Sequence, residues 1–327
     1  MTFFKNKKVL VTGGTGLIGV ALTKKLIKQG ALVTVVSLDD VNPFGDKVNY
    51  QKIDLRNYDN CKNICKNKDF VFHLAGVKGS PSVASKQPAS FFVPTIQFNT
   101  SLLEAAFREN VKHILYTSSV GVYSPADIFY EDSVWKTFPS ENDKFAGWAK
   151  RMGELQLDSY KIQYGFKNFS IVRPANVYGP YDNFDENNAM VIPSLIRRAI
   201  ETENEFEVWG DGSQIRDFIY SEDVADGMML AVEKKISTPM NLGSGKGILI
   251  KDLVETIVKC IPEKKLKIKW DTTKPTGDKI RILDMKNSKK INFYCKVGLE
   301  EGIKNTVEWY LKNKDYSKLK YNSFNIN

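Results

Sequence analysis

Three glycines spaced three residues apart close the first apolar run of the chain, in Gly13-Gly14-Thr15-Gly16-Leu17-Ile18-Gly19. Glycine permits a tight turn, lets backbone N–H groups approach a pyrophosphate, and lets the next helix pack closely on the preceding strand. The start of that helix adds unpaired N–H groups and the positive end of its dipole, both suited to phosphate. Gly13, Gly16, Leu17, Ile18 and Gly19 are therefore expected to hold a dinucleotide. The end of the second apolar run bears on which one. The usual acid position holds Ser37, which is uninformative, but Asp39 and Asp40 follow at once and no Arg or Lys appears before Lys47. Carboxylates here hydrogen-bond an adenosine ribose and repel a 2′-phosphate, which favours NAD over NADP. Asp54 and Leu55 end a further run, where an acid meets the adenine amine. Leu74, Ala75 and Gly76 end another, where small residues let the backbone run beside the cofactor. His73 reads as a satisfied structural histidine and His113 as incidental.

The elements needed to position these residues follow from periodicity. Lys8 to Thr12 is a short apolar run ending in glycines, as in a buried parallel strand. A helix is predicted from about Gly16 to Gln29, packing through Leu17, Val20, Ala21, Leu22, Leu26 and Ile27 and stopped by Gly30. Further strands are predicted at Leu32–Val36, Val48–Asp54, Asp69–Leu74, Ile114–Thr117 and Phe169–Val172, with helices between them, notably Gln97–Glu109 and Phe145–Gln163. Alternation of this kind predicts an α/β fold with a doubly wound, mainly parallel sheet and a ligand at the carboxyl ends of its strands. Past Pro180 the pattern loosens into irregular segments and helices at Val191–Thr202, Asp252–Ile261 and Val297–Lys312. Residues 1–180 are expected to form the NAD-binding domain, with returning segments near 216–243. Residues 181–327 form a smaller, interleaved α/β lobe that holds substrate. The polar tail from Asn313 to Asn327 is expected to be loosely ordered.

Composition excludes several classes. The chain has 327 residues and a net charge of +9, but its lysines are scattered with no basic stripe, which argues against nucleic acid. A mildly positive surface suits a nucleotide diphosphate instead. Four cysteines in a chain of this length make no disulfide scaffold, and Cys61 and Cys65 lack a second ligand pair for zinc. With no signal-peptide core and no apolar run approaching a membrane span, the expected location is the cytoplasm.

Jointly, Gly13 to Gly19, Asp54-Leu55-Arg56, His73-Leu74-Ala75-Gly76, Thr117-Ser118-Ser119 with Tyr123, Lys150, and Arg173 to Pro180 resemble a known family. It is the extended short-chain dehydrogenase/reductases, the NAD-dependent epimerases and dehydratases of nucleotide sugars, and the likeness spans nearly the whole chain. The best match within it is the GDP-fucose synthase branch, through Tyr178 to Phe184, Val191-Ile192-Pro193, Trp209 to Gly212 with Arg216-Asp217-Phe218, Asn241 to Gly245, and Lys274-Pro275. The resemblance implies a Rossmann-type fold and a Ser/Tyr/Lys site. In that site the serine, here Ser119, hydrogen-bonds the reacting hydroxyl or carbonyl. A tyrosine carries the proton, and a lysine four residues on, here Lys150, holds the nicotinamide ribose and lowers the phenol's pKa. Ala146 occupies the tyrosine position. Tyr123 and Tyr178 are structural in the family.

The resemblance also implies Pro174 and Val177 as cofactor contacts, and Lys78, Ser80, Asn176, Val191, Trp209, Arg216, Lys274 and Arg281 as substrate contacts. Arg216 is the foremost diphosphate clamp, because a guanidinium matches phosphate bidentately. Where the branch carries an acid/base pair for epimerising C3 and C5, this chain has Gly121 and Met190. The acids of the 4,6-dehydratases are missing after Ser119. What remains is redox at one carbon, C4, of a GDP-sugar; the alternative is 4-epimerisation of a UDP- or other NDP-sugar. A non-catalytic NAD-binding protein that lost its tyrosine naturally is a third reading. The retention of Ser119, Lys150 and a full substrate lobe favours an enzyme whose tyrosine was removed. The helices at 97–109 and 145–163 occupy the family's dimer positions, which implies a homodimer or a dimer of dimers.

Overall fold

Side chains alternate across a strand, and in Lys8–Thr12 both sides are apolar and buried: Val9 and Val11 join one core, Leu10 the other. Such a strand belongs inside a sheet covered on both faces. The computed structural model describes residues 2–77, 79–262, 264–274, 277–322 and 324. In it β1 (Lys8–Thr12), β2 (Leu32–Ser37), β3 (Asn49–Lys52), β4 (Phe70–His73) and β5 (His113–Thr117) join the strands Phe169–Pro174 and Met240–Leu242 in one sheet. Every pairing in it is parallel. The order runs β3, β2, β1, β4, β5, Phe169–Pro174, Met240–Leu242. Strand order reverses between β1 and β4, which opens a crevice above their carboxyl ends.

Helix α1 (Leu17–Lys28) and the helix Ser221–Glu233 cover one face through Val20, Leu22, Leu26, Met228 and Val232. The other face is covered by α2 (Tyr58–Cys65) and, after the short α3 (Pro81–Lys86), by α4 (Pro88–Arg108) and α5 (Lys144–Tyr164). Helix α4 starts nine residues before the predicted Gln97 and carries Pro94 inside it. Proline removes only the bond to the Ser90 carbonyl there, while Phe98, Leu102 and Leu103 are buried further along. Apolar burial outweighs the lost bond.

The second lobe is more regular than its sequence pattern suggested. Helices Val191–Glu201, Ile250–Cys260 and Leu299–Lys312 share a core with the paired strands Glu205–Trp209 and Lys267–Asp271. A four-stranded sheet bridges to the first lobe, in the order Ile248–Leu249, Ile215–Arg216, Ile280–Leu283, Ile128–Phe129. The chain passes between sheets abruptly. Ala175 alone separates Phe169–Pro174 from Asn176–Tyr178, and Asp217 alone separates Ile215–Arg216 from Phe218–Tyr220.

The tail also differs from expectation. Lys314–Leu319 forms a 3-10 turn in which the Tyr316 ring packs edge-on against Tyr181 and Trp309, each 5.3 Å away. Aromatic anchors in a polar stretch overrode its composition. Among the described residues, no helix is long and apolar enough to cross a membrane.

Candidate active site

The cradle at the carboxyl ends of β1 and β4 is made by close backbone approach. Gly13 has φ +65°, and a Cβ there would lie 2.9 Å from Ala75 Cα. A Cβ on Gly19 would strike the Gly13 carbonyl oxygen and lie 2.6 Å from Gly14 Cα. Gly16 caps α1, its carbonyl accepting from the Val20 N–H at 2.8 Å, so the Leu17, Ile18 and Gly19 N–H groups have no helical acceptor. Donors at a helix start suit a pyrophosphate, and the residues present fit a dinucleotide. On its far side, Leu74 N–H donates to the Thr12 carbonyl at 3.2 Å and Ala75 N–H to Thr12 Oγ1 at 3.3 Å. Asp39 is buried beyond β2, and Thr15 Oγ1 donates to its Oδ2 at 2.7 Å. Asp54 instead turns to Arg56, whose side-chain hydrogen bonds hold the carboxyl below its usual range. Leu55 beside it is buried.

The expected catalytic edge forms where β5 meets the first turns of α5. Ser119 follows β5, and its Oγ accepts from the Gly121 N–H at 3.1 Å. Lys150 Nζ donates to the Thr117 carbonyl at 2.9 Å and faces Gly76, where a Cβ would stand 3.9 Å away. Burial lowers this lysine to about 8. Ala146 lies one turn earlier on the same helical face, so a side chain there shares the lysine's surroundings. Its methyl carries no transferable proton. Neither Tyr123 nor Tyr178 replaces one. Tyr123 Oη donates to Asn241 Oδ1 at 2.6 Å, accepts from Arg173 Nη1 at 3.1 Å, and is pushed up by burial to about 12. Tyr178 is buried in the second lobe's core, where burial raises it too.

Two buried networks hold this edge in place. The first runs from the cradle to α5. Ala75 N–H donates to Thr12 Oγ1, which contacts His73 Nδ1 at 2.8 Å, and His73 Nε2 contacts Asn99 Oδ1 at 2.9 Å. Asn99 Nδ2 then donates to Tyr116 Oη at 3.0 Å, and Tyr116 Oη to the Lys150 carbonyl at 3.1 Å. Burial, with the Lys150 charge second, depresses His73 to about 3, so the ring stays neutral and structural as read. In the second, Glu154 of α5 accepts from Ser118 Oγ at 2.5 Å and pairs with Arg173 at 2.7 Å, both members almost wholly buried.

The expected substrate side is built from charges. Arg216 donates to the carbonyls of Ile215 at 2.9 Å and Lys279 at 3.4 Å, and burial, then Arg281, lowers its pKa. The neighbouring Arg281 is engaged by two acids. Its guanidinium pairs with Asp143 at 2.7 Å and also holds Asp278, so two carboxylates already answer its charge. Asp143 in turn lies against Gly121, 3.4 Å from where a Cβ would be. Asn176 Nδ2 donates to the Asp217 carbonyl at 2.9 Å. Ser80 caps α3 and its N–H donates to Asn188 Oδ1 at 2.8 Å. Val191 and Trp209 are exposed, and Lys274 Nζ lies 5.8 Å from the centre of the Trp209 ring. A cleft of about 300 Å³, lined by Gly210, Ser213, Gln214, Thr272, Lys274 and Lys279, adjoins it. Pro174 ends its strand and Val177 pairs with Ile219, both at the passage into the second lobe. Lys78 lies outside the described residues.

The motif for the NAD dependent epimerase/dehydratase family matches residues 9–243. The chain belongs to that family. It is 31% identical to GDP-L-fucose synthase 1 of Arabidopsis thaliana, over 94% of each chain. Its fold matches a UDP-N-acetylglucosamine 4-epimerase from Methanobrevibacter ruminantium, solved with UDP-N-acetylmuramic acid, with a TM-score of 0.82 at 30% identity, covering 94% of this chain and 99% of that one. A GDP-L-fucose synthetase from Naegleria fowleri matches with a TM-score of 0.82 at 25% identity, covering 97% of both. This family member is therefore an enzyme of the nucleotide-sugar oxidoreductase and epimerase class, using a nicotinamide dinucleotide.

Sequence reasoning missed Asp143, Asp278, Asn99 and Tyr116. Asp143 sits three residues before Ala146, a spacing that was available to notice. Asn99 and Tyr116 carry no local signal, since only the fold brings them to His73.

Proposed function

We propose that this family member acts at C4 of a nucleotide-activated sugar, a GDP-sugar for preference, with NAD, and that Ala146 stands where the working enzyme has tyrosine. The observation that carries this reading is the intact frame around one missing phenol: Ser119 at the end of β5, and Lys150 facing Gly76 of the cradle and lowered to about 8. The nicotinamide, when bound, supplies hydride exchange at the sugar carbon. The Leu17, Ile18 and Gly19 N–H groups hold the pyrophosphate, and Asp39 takes the adenosine ribose. Lys150 holds the nicotinamide ribose and, by its charge, favours the phenolate of a tyrosine at 146. Ser119 Oγ orients the reacting hydroxyl. Asn176 and Arg216 meet the diphosphate, and Trp209 with Lys274 flanks the cleft for the base. Gly121 and Met190 carry no transferable proton, which supports single-carbon redox without epimerisation at C3 and C5.

A second reading, 4-epimerisation of a UDP- or other NDP-sugar, is favoured by the likeness to the Methanobrevibacter ruminantium epimerase. A homodimer is supported by exposed Val93 on α4 and Leu155 and Ile162 on α5.

The test compares Ala146→Tyr with the chain as it stands, on GDP-, UDP-, dTDP- and CDP-sugars with NAD or NADH, following nicotinamide absorbance and products. Turnover only in Ala146→Tyr supports the proposal. Net cofactor conversion means a dehydrogenase or reductase, and unchanged cofactor with a new sugar means an epimerase. Binding of NAD and sugars by both forms without turnover sinks the enzymatic reading in favour of a non-catalytic binder.

A further inference from the structure

The C-terminal segment lies on the residue assigned to the adenosine ribose. Lys320 Nζ donates to the Thr15 carbonyl, inside the glycine turn, and sits 3.2 Å from Asp39 Oδ2. The Tyr321 N–H donates to Asp39 Oδ1 at 2.8 Å, while Thr15 Oγ1 already holds Oδ2. The Tyr316 ring lies 4.7 Å from the same ammonium. Beyond, the Phe324 ring lies where a Cβ on Gly79 would approach to 2.7 Å, in the loop that follows β4. Its described residues therefore reach both the end of β2, at Asp39, and the loop after β4, at Gly79, by the mouth of the crevice. The side chains of Asp39 and Lys320 are left only 11% and 14% exposed.

A carboxylate offers about four lone-pair sites. Three donors already occupy Asp39, whereas the vicinal diol of a ribose needs two sites on one carboxylate. The Lys320 ammonium also answers the charge that would attract those hydroxyls.

We infer that the segment around Lys320 and Tyr321 is an internal competitor for the adenosine pocket, which a dinucleotide must displace to reach Asp39. The inference rests on the proposed role of Asp39. The apparent dissociation constant of a site open in only a fraction of molecules is the intrinsic value divided by that fraction. If the segment is docked in nine molecules of ten, undocking it tightens binding roughly tenfold.

The experiment titrates the full chain, Lys320→Ala, Tyr321→Pro and the control Lys318→Ala with NADH by nicotinamide fluorescence. Tyr321→Pro removes the N–H that Asp39 accepts, and Lys318 is an exposed lysine paired with Asp315. Hydrogen–deuterium exchange across residues 316–322 is followed in parallel. The expected result is that Lys320→Ala and Tyr321→Pro tighten NADH binding about three- to tenfold. Lys318→Ala does not change it, and NADH speeds exchange in the segment of the full chain. Weaker binding in both variants with slower exchange on NADH would make the segment a clasp for the bound cofactor and overturn the inference. Unchanged affinity overturns it too. No NADH binding by any form, in a folded chain, removes the cofactor assignment itself.

Discussion

The proposed cofactor cradle and the proposed substrate corner are built differently. In the cradle, Gly13, Gly19, Ala75 and the start of α1 approach within contact distance through their backbones, leaving no room for a side chain. In the corner, Arg281 is brought to Asp143 and Asp278 and held by charge, with Arg216 beside them on a third segment. A backbone site is specified by residue type and short spacing, and tolerates no change. A side-chain site is specified by the fold and can be retuned one residue at a time.

The sharpest way to break this contrast is Gly19→Val. It should raise the NADH dissociation constant at least a hundredfold, about 2.8 kcal/mol at 1.4 kcal/mol per tenfold. Unchanged affinity in a fluorescence titration would show that the cradle is as adaptable as the corner. Glu154→Gln tests the scaffold beneath both. It leaves the buried Arg173 guanidinium without its counter-charge and should cost about 3–5 kcal/mol in thermal or denaturant unfolding. A loss under 1 kcal/mol would mean that Arg173 finds water.

Lys150 provides a pH test in Ala146→Tyr. With its proton lost above about 8, turnover should fall roughly tenfold per pH unit beyond that point, and a flat profile to pH 10 would deny it a charged role. The stability sign is the opposite. Burial lowers the folded value to about 8 from 10.5, so the unfolded chain binds more protons between those values, and this group's contribution to stability rises with pH across that window. The smallest effect belongs to the corner. Asp143→Asn should change stability by less than about 1 kcal/mol, since the pair is partly exposed. By removing one of the two carboxylates on Arg281 it should tighten GDP binding on the order of threefold in calorimetry. Weaker GDP binding would show instead that Asp143 positions the clamp.

These differences explain what the sequence revealed. The glycine turn, the alternation of strands and helices, and the Ala146-to-Lys150 spacing are local patterns, and the sheet they predict is the sheet observed. The long reach of α4 was hidden by Pro94, whose local penalty is offset by burial that only the tertiary fold supplies. The Arg281–Asp143 pair joins residues 138 positions apart, and the Lys320–Asp39 pair joins residues 281 apart. No periodicity marks such contacts. Lys320 bears on the cofactor argument directly, because the absence of a cation near Asp39 in sequence is not its absence in space.

The abrupt passages at Ala175 and Asp217 have a consequence for how this architecture diversifies. Met240–Leu242 forms the outer edge of the seven-stranded sheet, and Ser221–Glu233 covers one of its faces, yet both follow the first pass through the second lobe. A fragment ending near residue 180 therefore lacks an edge strand and a covering helix. Recombination has no seam at which to exchange one recognition module for another while keeping the dinucleotide half. On the proposed reading, new sugar preferences then arise by point changes on a frame inherited whole, at positions such as Gly121, Met190 and Arg281.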